Sequence, residues 1–109
     1  MAEKEIILST TDRIPNKTII EVLGIVRGNT IRARWFGRDI AAGLKMIIGG
    51  EIKGYTKMIS DAREEALKRM VEEAKELSAD AVVNIRFTTS TVMQGAAEIL
   101  AYGTAVKLK

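Results

Sequence analysis

An α+β domain, with one long helix laid on a small sheet, is the fold class this sequence predicts. Three observations predict it. Thr18 to Arg32 is a run rich in β-branched residues, about Gly54 to Leu77 has apolar residues at helical spacing, and Ala81 to Thr91 alternates apolar with polar. The chain has 109 residues, the length of one ordinary domain, and no linker, repeat or low-complexity tract divides residues 1–109.

Ile6-Ile7-Leu8-Ser9-Thr10 reads as a short strand, and the turn after it carries the only proline, Pro15, followed by Asn16. Thr18 to Arg32 reads as a long strand. Ile19, Leu23 and Ile25 occupy one parity and Ile20, Val22 and Val26 the other, so both faces are expected to be covered. Gly24 and Gly28 interrupt the run and suggest a bulge or a bend. Ile40, Leu44, Ile47 and Ile48 have helical spacing, and Gly49-Gly50 would end a short helix there.

In the long helix, Met58, Ala62, Ala66, Met70 and Ala74 form an i+4 ridge, widened by Ile59, Leu67, Val71 and Leu77. Glu64–Lys68 and Glu65–Arg69 are i,i+4 pairs on the other side. Small residues along the ridge allow close approach to a sheet. The next strand sets Val83, Ile85 and Phe87 against Asn84, Arg86, Thr88 and Ser90, which implies one wet face. In the last strand, Ala96 to Leu108, the face of Ala101, Gly103 and Ala105 is a seat for the alanine ridge, while Leu100, Tyr102, Val106 and Leu108 share the other face. A single such layer leaves one face of its sheet uncovered.

Composition narrows the chemistry. The chain has no cysteine and no histidine. Disulfides, thiolate nucleophiles, Cys-type zinc sites and imidazole bases are thereby excluded. The net charge of +3 permits anionic partners without demanding them. Apolar residues make up 47%, and the nine glycines raise this to roughly 55%. Ordinary domains sit near 45–50%. A small domain has proportionally more surface, so the surplus points to apolar surface buried between subunits. The charged N-terminus does not read as a signal peptide, and no apolar stretch approaches membrane-spanning length. The expected compartment is the cytoplasm, with no membrane partner.

Arg38-Asp39-Ile40-Ala41-Ala42-Gly43, then Ile47-Ile48-Gly49-Gly50 and Tyr55, resemble the YbjQ-like family, which carries a heavy-metal-binding label. Ala62-Arg63 in the helix, Ala79-Asp80-Ala81-Val82 after it and Gly103-Thr104-Ala105-Val106 near the end match as well, so the resemblance spans the chain. It implies a fold related to the dodecin subunit, β-α-β-β with extra short strands, assembled as a homopentameric ring. The ligand or interface candidates are Arg38, Asp39, Gly49, Gly50, Tyr55 and Arg63 from these stretches, with Glu51, a carboxylate that a ring could gather around its axis. The sequence departs from the family pattern at Met46, where many members carry an acidic residue, and at Arg86, Phe87 and Thr88, where some carry aspartates.

Each candidate has a structural reading beside the chemical one. Asp39 could serve as a general acid or base, yet beside Arg38 it reads better as a helix-start or subunit-contact charge. Arg27, Arg32, Arg34 and Arg38 surround Trp35 and Phe36, a pattern that binds single-stranded nucleic acid, although Trp and Arg also anchor protein interfaces. Gly49-Gly50 lacks the Lys-Ser/Thr of a phosphate loop. The helix glutamates are interleaved with lysine and arginine, as on a solvated face. The favoured expectation is a homo-oligomeric binding or scaffold module with an unidentified small ligand, no assigned catalytic residue, no cofactor and no metal. A nucleic-acid-binding ring and an enzyme using Asp39 are the alternatives.

Overall fold

The computed structural model describes residues 5–33, 52–93 and 96–109, with the backbone alone for Ala33, residues 52–55, Val92 and Met93. Its elements are β1 (Ile7–Leu8), β2 (Ile19–Ala33), α1 (Ile52–Glu76), β3 (Ala81–Met93) and β4 (Ala96–Leu108). The short helix expected over residues 38–48 lies outside the described residues.

The four strands form one sheet in the order β1-β3-β4-β2. β4 is central and runs antiparallel to both β3 and β2, and β1 adds to the outer edge of β3 in parallel. Helix α1 covers one face. Its ridge of Ala62, Ala66, Met70 and Ala74 is fully buried against Val26, Val82, Ile85, Ile99, Ala101 and Ala105. The alanine seat expected on β4 is therefore the seat observed, and short side chains on both layers let the backbones come close. Thr30 fixes this crossing: buried in the seam, its Oγ1 donates to the Ala62 carbonyl at 2.8 Å. Met58 and Ile59 are half-buried and Leu77 is exposed, so the apolar face narrows at both ends of the helix.

Gly28 plays a different part from the expected bend. It keeps register opposite Ala101, and a Cβ there would fall against the Ala66 carbonyl and 2.5 Å from the Met70 nitrogen. It is the point where α1 rests on β2. Gly24 is irregular as expected: the register shifts between Val22 and Gly24, and its φ of 133° suits glycine.

Two readings of the strands are corrected. First, β2 is not covered on both faces. Val26 and Thr30 are buried, but Ile20, Val22, Ile25 and Ile31 are 58%, 65%, 70% and 61% exposed, because among the described residues α1 shields one side only. Second, Val83 and Ile85 do not share a face. The register of β3 against β4 shifts between Val83 and Arg86, and Asn84 in between has φ 55°. This is a β-bulge. It sends Ile85 to the helix side with Val82, and leaves Val83 with Ala81 and Val106 in a second small cluster on the opposite face, packed by Ile14, Ile19 and Leu108.

The helix ends in a Schellman turn. Ala79 N–H reaches back to the Ala74 carbonyl and Ser78 N–H to the Lys75 carbonyl, at 3.1 and 3.0 Å, with Ser78 at φ 58°. Asp80 follows and makes three bonds to β1 and β4: its carbonyl accepts from Ile7 N–H, its N–H donates to the Val106 carbonyl, and its Oδ2 accepts from Leu108 N–H at 2.7 Å.

Candidate functional site

The face of the sheet opposite α1 is where chemistry-bearing side chains and exposed apolar ones meet. Register places them. Arg27 on β2 and Arg86 on β3 are both the partners of Tyr102 on β4, so the three stand in one row across the sheet. The buried neighbours Val26, Gly28 and Ala101 point toward the helix, and this row points away from it. One step along, Ile25 pairs with Thr104.

The Asn84 bulge lies against this row and opens a shallow cavity of ≈ 350 Å³ lined by Ile25, Asn84, Arg86, Tyr102, Gly103 and Thr104. The guanidinium of Arg86 is fixed at its edge: Nη1 donates to the carbonyls of Thr10 at 2.9 Å and Ile85 at 2.8 Å. Thr10 is itself held in place, because Asn84 N–H donates to the Thr11 carbonyl and Ile85 N–H to that of Ser9. The N-terminal segment thus runs along the bulge and anchors the arginine. No carboxylate lines the cavity; its polar side chains are a guanidinium, an amide and two hydroxyls beside the apolar Ile25.

The residues expected from the sequence distribute unevenly. Arg38, Asp39, Gly49, Gly50, Glu51, Arg34 and Trp35 lie outside the described residues. Tyr55 lies in the first turn of α1 and is described by its backbone alone. Arg63 is exposed on the outer side of α1 next to buried Ala62, on the other side of the layer from the cavity. Arg27 and Arg32 differ by an odd number of positions in a strand that keeps register, so they point to opposite faces. Of the expected set, the structure brings only Arg27 to the open face.

Nothing local in the sequence gathers Asn84, Arg86 and Tyr102 around one cavity. The signal available was an asparagine inside an otherwise regular alternation, the residue type that best tolerates left-handed backbone after glycine.

A second, smaller cavity of ≈ 240 Å³ is bounded by Glu5, Ile7, Lys17, Asp80, Leu108 and Lys109, where the two ends of the described chain meet. Its charges are of both signs, and Asp80 is already occupied in holding Leu108. Among the described residues no group of three His, Cys, Asp or Glu side chains converges in a way that could hold a metal ion. Among them, too, no helix is long and apolar enough to cross a membrane.

Among the described residues, an amphipathic helix packs on one face of a four-stranded mixed sheet, and an α+β domain is the class these observations define. Residues 6–109 match the YbjQ family model, described as "Putative heavy-metal-binding", and the chain belongs to that family. A UPF0145 protein of Archaeoglobus fulgidus is 64% identical over 107 residues, spanning 98% of this chain and 99% of its own length. UPF0145 proteins of Methanoculleus marisnigri and Psychromonas ingrahamii are 60% and 59% identical, each over 94% of this chain and over 95% and 98% of their own lengths. Among solved structures, a protein of unknown function of the DUF74 family from Pediococcus pentosaceus superposes with a TM-score of 0.67 at 17% identity, covering 95% of this chain and 98% of that one. At that identity the likeness concerns the fold.

Proposed function

We propose that this protein is a homo-oligomeric binding or scaffold module whose subunits meet through the open face of the sheet and hold a small ligand between them. The observation that carries this reading is an inversion of side-chain size. Among the described residues, nine of the sixteen buried apolar side chains are alanines, while Ile20, Val22, Ile25 and Ile31 are more than half exposed. A chain that places its large aliphatics outside and its small ones inside gains most of its apolar burial from a second copy.

Shape supports the same reading. The molecule measures 56 × 27 × 23 Å with a radius of gyration of 17.5 Å, whereas a compact domain of this length has about 13 Å. Five subunits in a closed ring, with a dodecin-like relation between protomers, is the assembly that the family resemblance suggests. Closure also removes the open strand edges of each protomer from solvent. A cytoplasmic location accords with the absence of cysteine.

Light scattering or native mass spectrometry tests the assembly. The wild-type protein is expected to run as a closed oligomer of five chains at micromolar concentration. Ile25→Lys or Ile31→Lys, which place a charge in the contact, are expected to shift it toward monomer. A monomeric wild type would overturn the reading.

A further inference from the structure

We propose that the hollow at the Asn84 bulge binds a small organic anion, a flat apolar body carrying one carboxylate or phosphate group. This deepens the binding role assigned above and rests on it for the ligand's place at the edge of the subunit contact. Ile25, among the most exposed aliphatics of that contact, also forms the apolar wall of the hollow.

The argument begins with the backbone. A bulge with a non-glycine residue at φ 55° costs stability in a strand that could have run straight. Bulges re-aim side chains, and they are found beside binding sites for that reason. Here the bulge opens a hollow of ≈ 350 Å³, within the range of small-molecule sites. Gly103, opposite it, lines the hollow by backbone alone, its missing side chain belonging to the packed side. A Cβ on Gly103 would sit 2.7 Å from Val82 Cγ1 on the packed side.

The chemistry of the lining selects the ligand. Arg86 brings a full positive charge, and its Nη1 is committed to Thr10 and Ile85. Among the described residues its Nε and Nη2 make no hydrogen bond, so a forked pair of donors remains for an anion, already oriented by the bonds on the other side. Arg27 stands across Tyr102 and adds a second charge. The Asn84 amide and the Tyr102 and Thr104 hydroxyls complete a set with no acidic member. Tyr102, 39% exposed, and Ile25 offer an apolar surface to the rest of the ligand. A cation would meet Arg86 with no carboxylate to hold it, and a neutral sugar would find no carboxylate to accept its hydroxyls.

Calorimetric titration of the full chain with phenyl phosphate and with benzoate tests this, with inorganic phosphate and benzyl alcohol as controls and the assembly state measured in the same samples. One site per chain is expected for an aryl anion, weakening as salt is raised, with each control binding at least about tenfold more weakly. Whether phenyl phosphate or benzoate binds more tightly identifies the anionic group. Arg86→Gln and Asn84→Gly should each weaken the aryl anion by about tenfold. Asn84→Gly keeps the left-handed backbone, so its loss cannot be ascribed to unfolding of the bulge. Lys68→Gln, on the exposed side of α1, should change nothing. Absence of binding by an intact oligomer would overturn the site and leave the assembly standing. Binding by a monomer would keep the site and overturn the assembly. Equal weakening by Lys68→Gln would reduce the effect to net charge and overturn the site as drawn.

Discussion

Gly28 is the residue on which the layer spacing depends. Its missing Cβ lets α1 descend until the Ala66 carbonyl and Met70 nitrogen occupy the space, and the fully buried ridge of Ala62, Ala66, Met70 and Ala74 follows from that approach. The atoms that would have to yield are helix backbone and cannot rotate away. Gly28→Ala is therefore expected to lower stability by about 1–3 kcal/mol, the usual cost of overpacking, read from chemical denaturation. An unchanged midpoint would mean that the helix does not rest there. Ser78 is the converse case. It holds φ 58° at the end of α1, a conformation that strains side-chain-bearing residues by about 1–2 kcal/mol, partly offset by the greater freedom glycine has when unfolded. Ser78→Gly is expected to raise the melting temperature and Ser78→Val to lower it. A rise with valine would contradict the cap.

The elements were largely legible in the sequence, because their patterns are long. The helix expected from about Gly54 to Leu77 spans Ile52–Glu76, and the last strand has the expected bounds. Twenty-odd residues of helical spacing average over local exceptions. What was not legible comes from single positions. One asparagine in αL inverts the parity of everything after it in β3, so Val83 and Ile85, two apart, face opposite ways. The apolar residues of both parities in β2 suggested two covered faces, and hydrophobicity alone does not say whether the cover belongs to the same chain. For the candidate site, Arg27 was legible as a charge, but its row with Tyr102 and Arg86 depends on strand register, which no local pattern encodes.

The outer edge of β2 shows how one element protects another. The Arg27 N–H donates to Glu73 Oε1 at 3.0 Å, and Arg69 Nη1 donates to the Asn29 carbonyl at 2.6 Å. Arg69 is steadied in turn by Glu65 at 3.2 Å. Helix side chains thus occupy edge groups that would otherwise offer a template for another strand. Replacing both Arg69 and Glu73 by alanine is expected to cost about 0.5–1.5 kcal/mol per lost bond and to promote aggregation on heating. Turbidity and denaturation together check it; a double variant as soluble as the wild type would show that the edge needs no such guard.

At the scale of the whole molecule, the family's description and the composition of this chain pull apart. Zinc, copper and cadmium favour thiolate or imidazole ligands, and this chain has neither. Carboxylates gathered by a ring would suit calcium, magnesium or manganese instead. Titration of metal-stripped protein with zinc, copper and cadmium is expected to give no submicromolar site. A stoichiometric nanomolar isotherm, lost on Asp39→Asn or Glu51→Gln, would restore the family's description for this chain.

The placement of β4 between β2 and β3 also sets an order in time. β2 ends at Ala33, yet the strand it pairs with begins only at Ala96. While the chain emerges from the ribosome, Val22, Ile25, Val26 and Ile31 must wait without a partner strand until the segment from Ala96 has left the exit tunnel. Helix α1 and the β3–β4 hairpin, where Met93 pairs with Ala96, can form from local contacts before β2 is captured. Closing the loop from β2 to β4 is the slow step such a topology imposes. The strand that carries Ile20, Val22, Ile25 and Ile31, exposed even in the folded protomer, is thus the one whose pairing is completed last, when such apolar surface invites association.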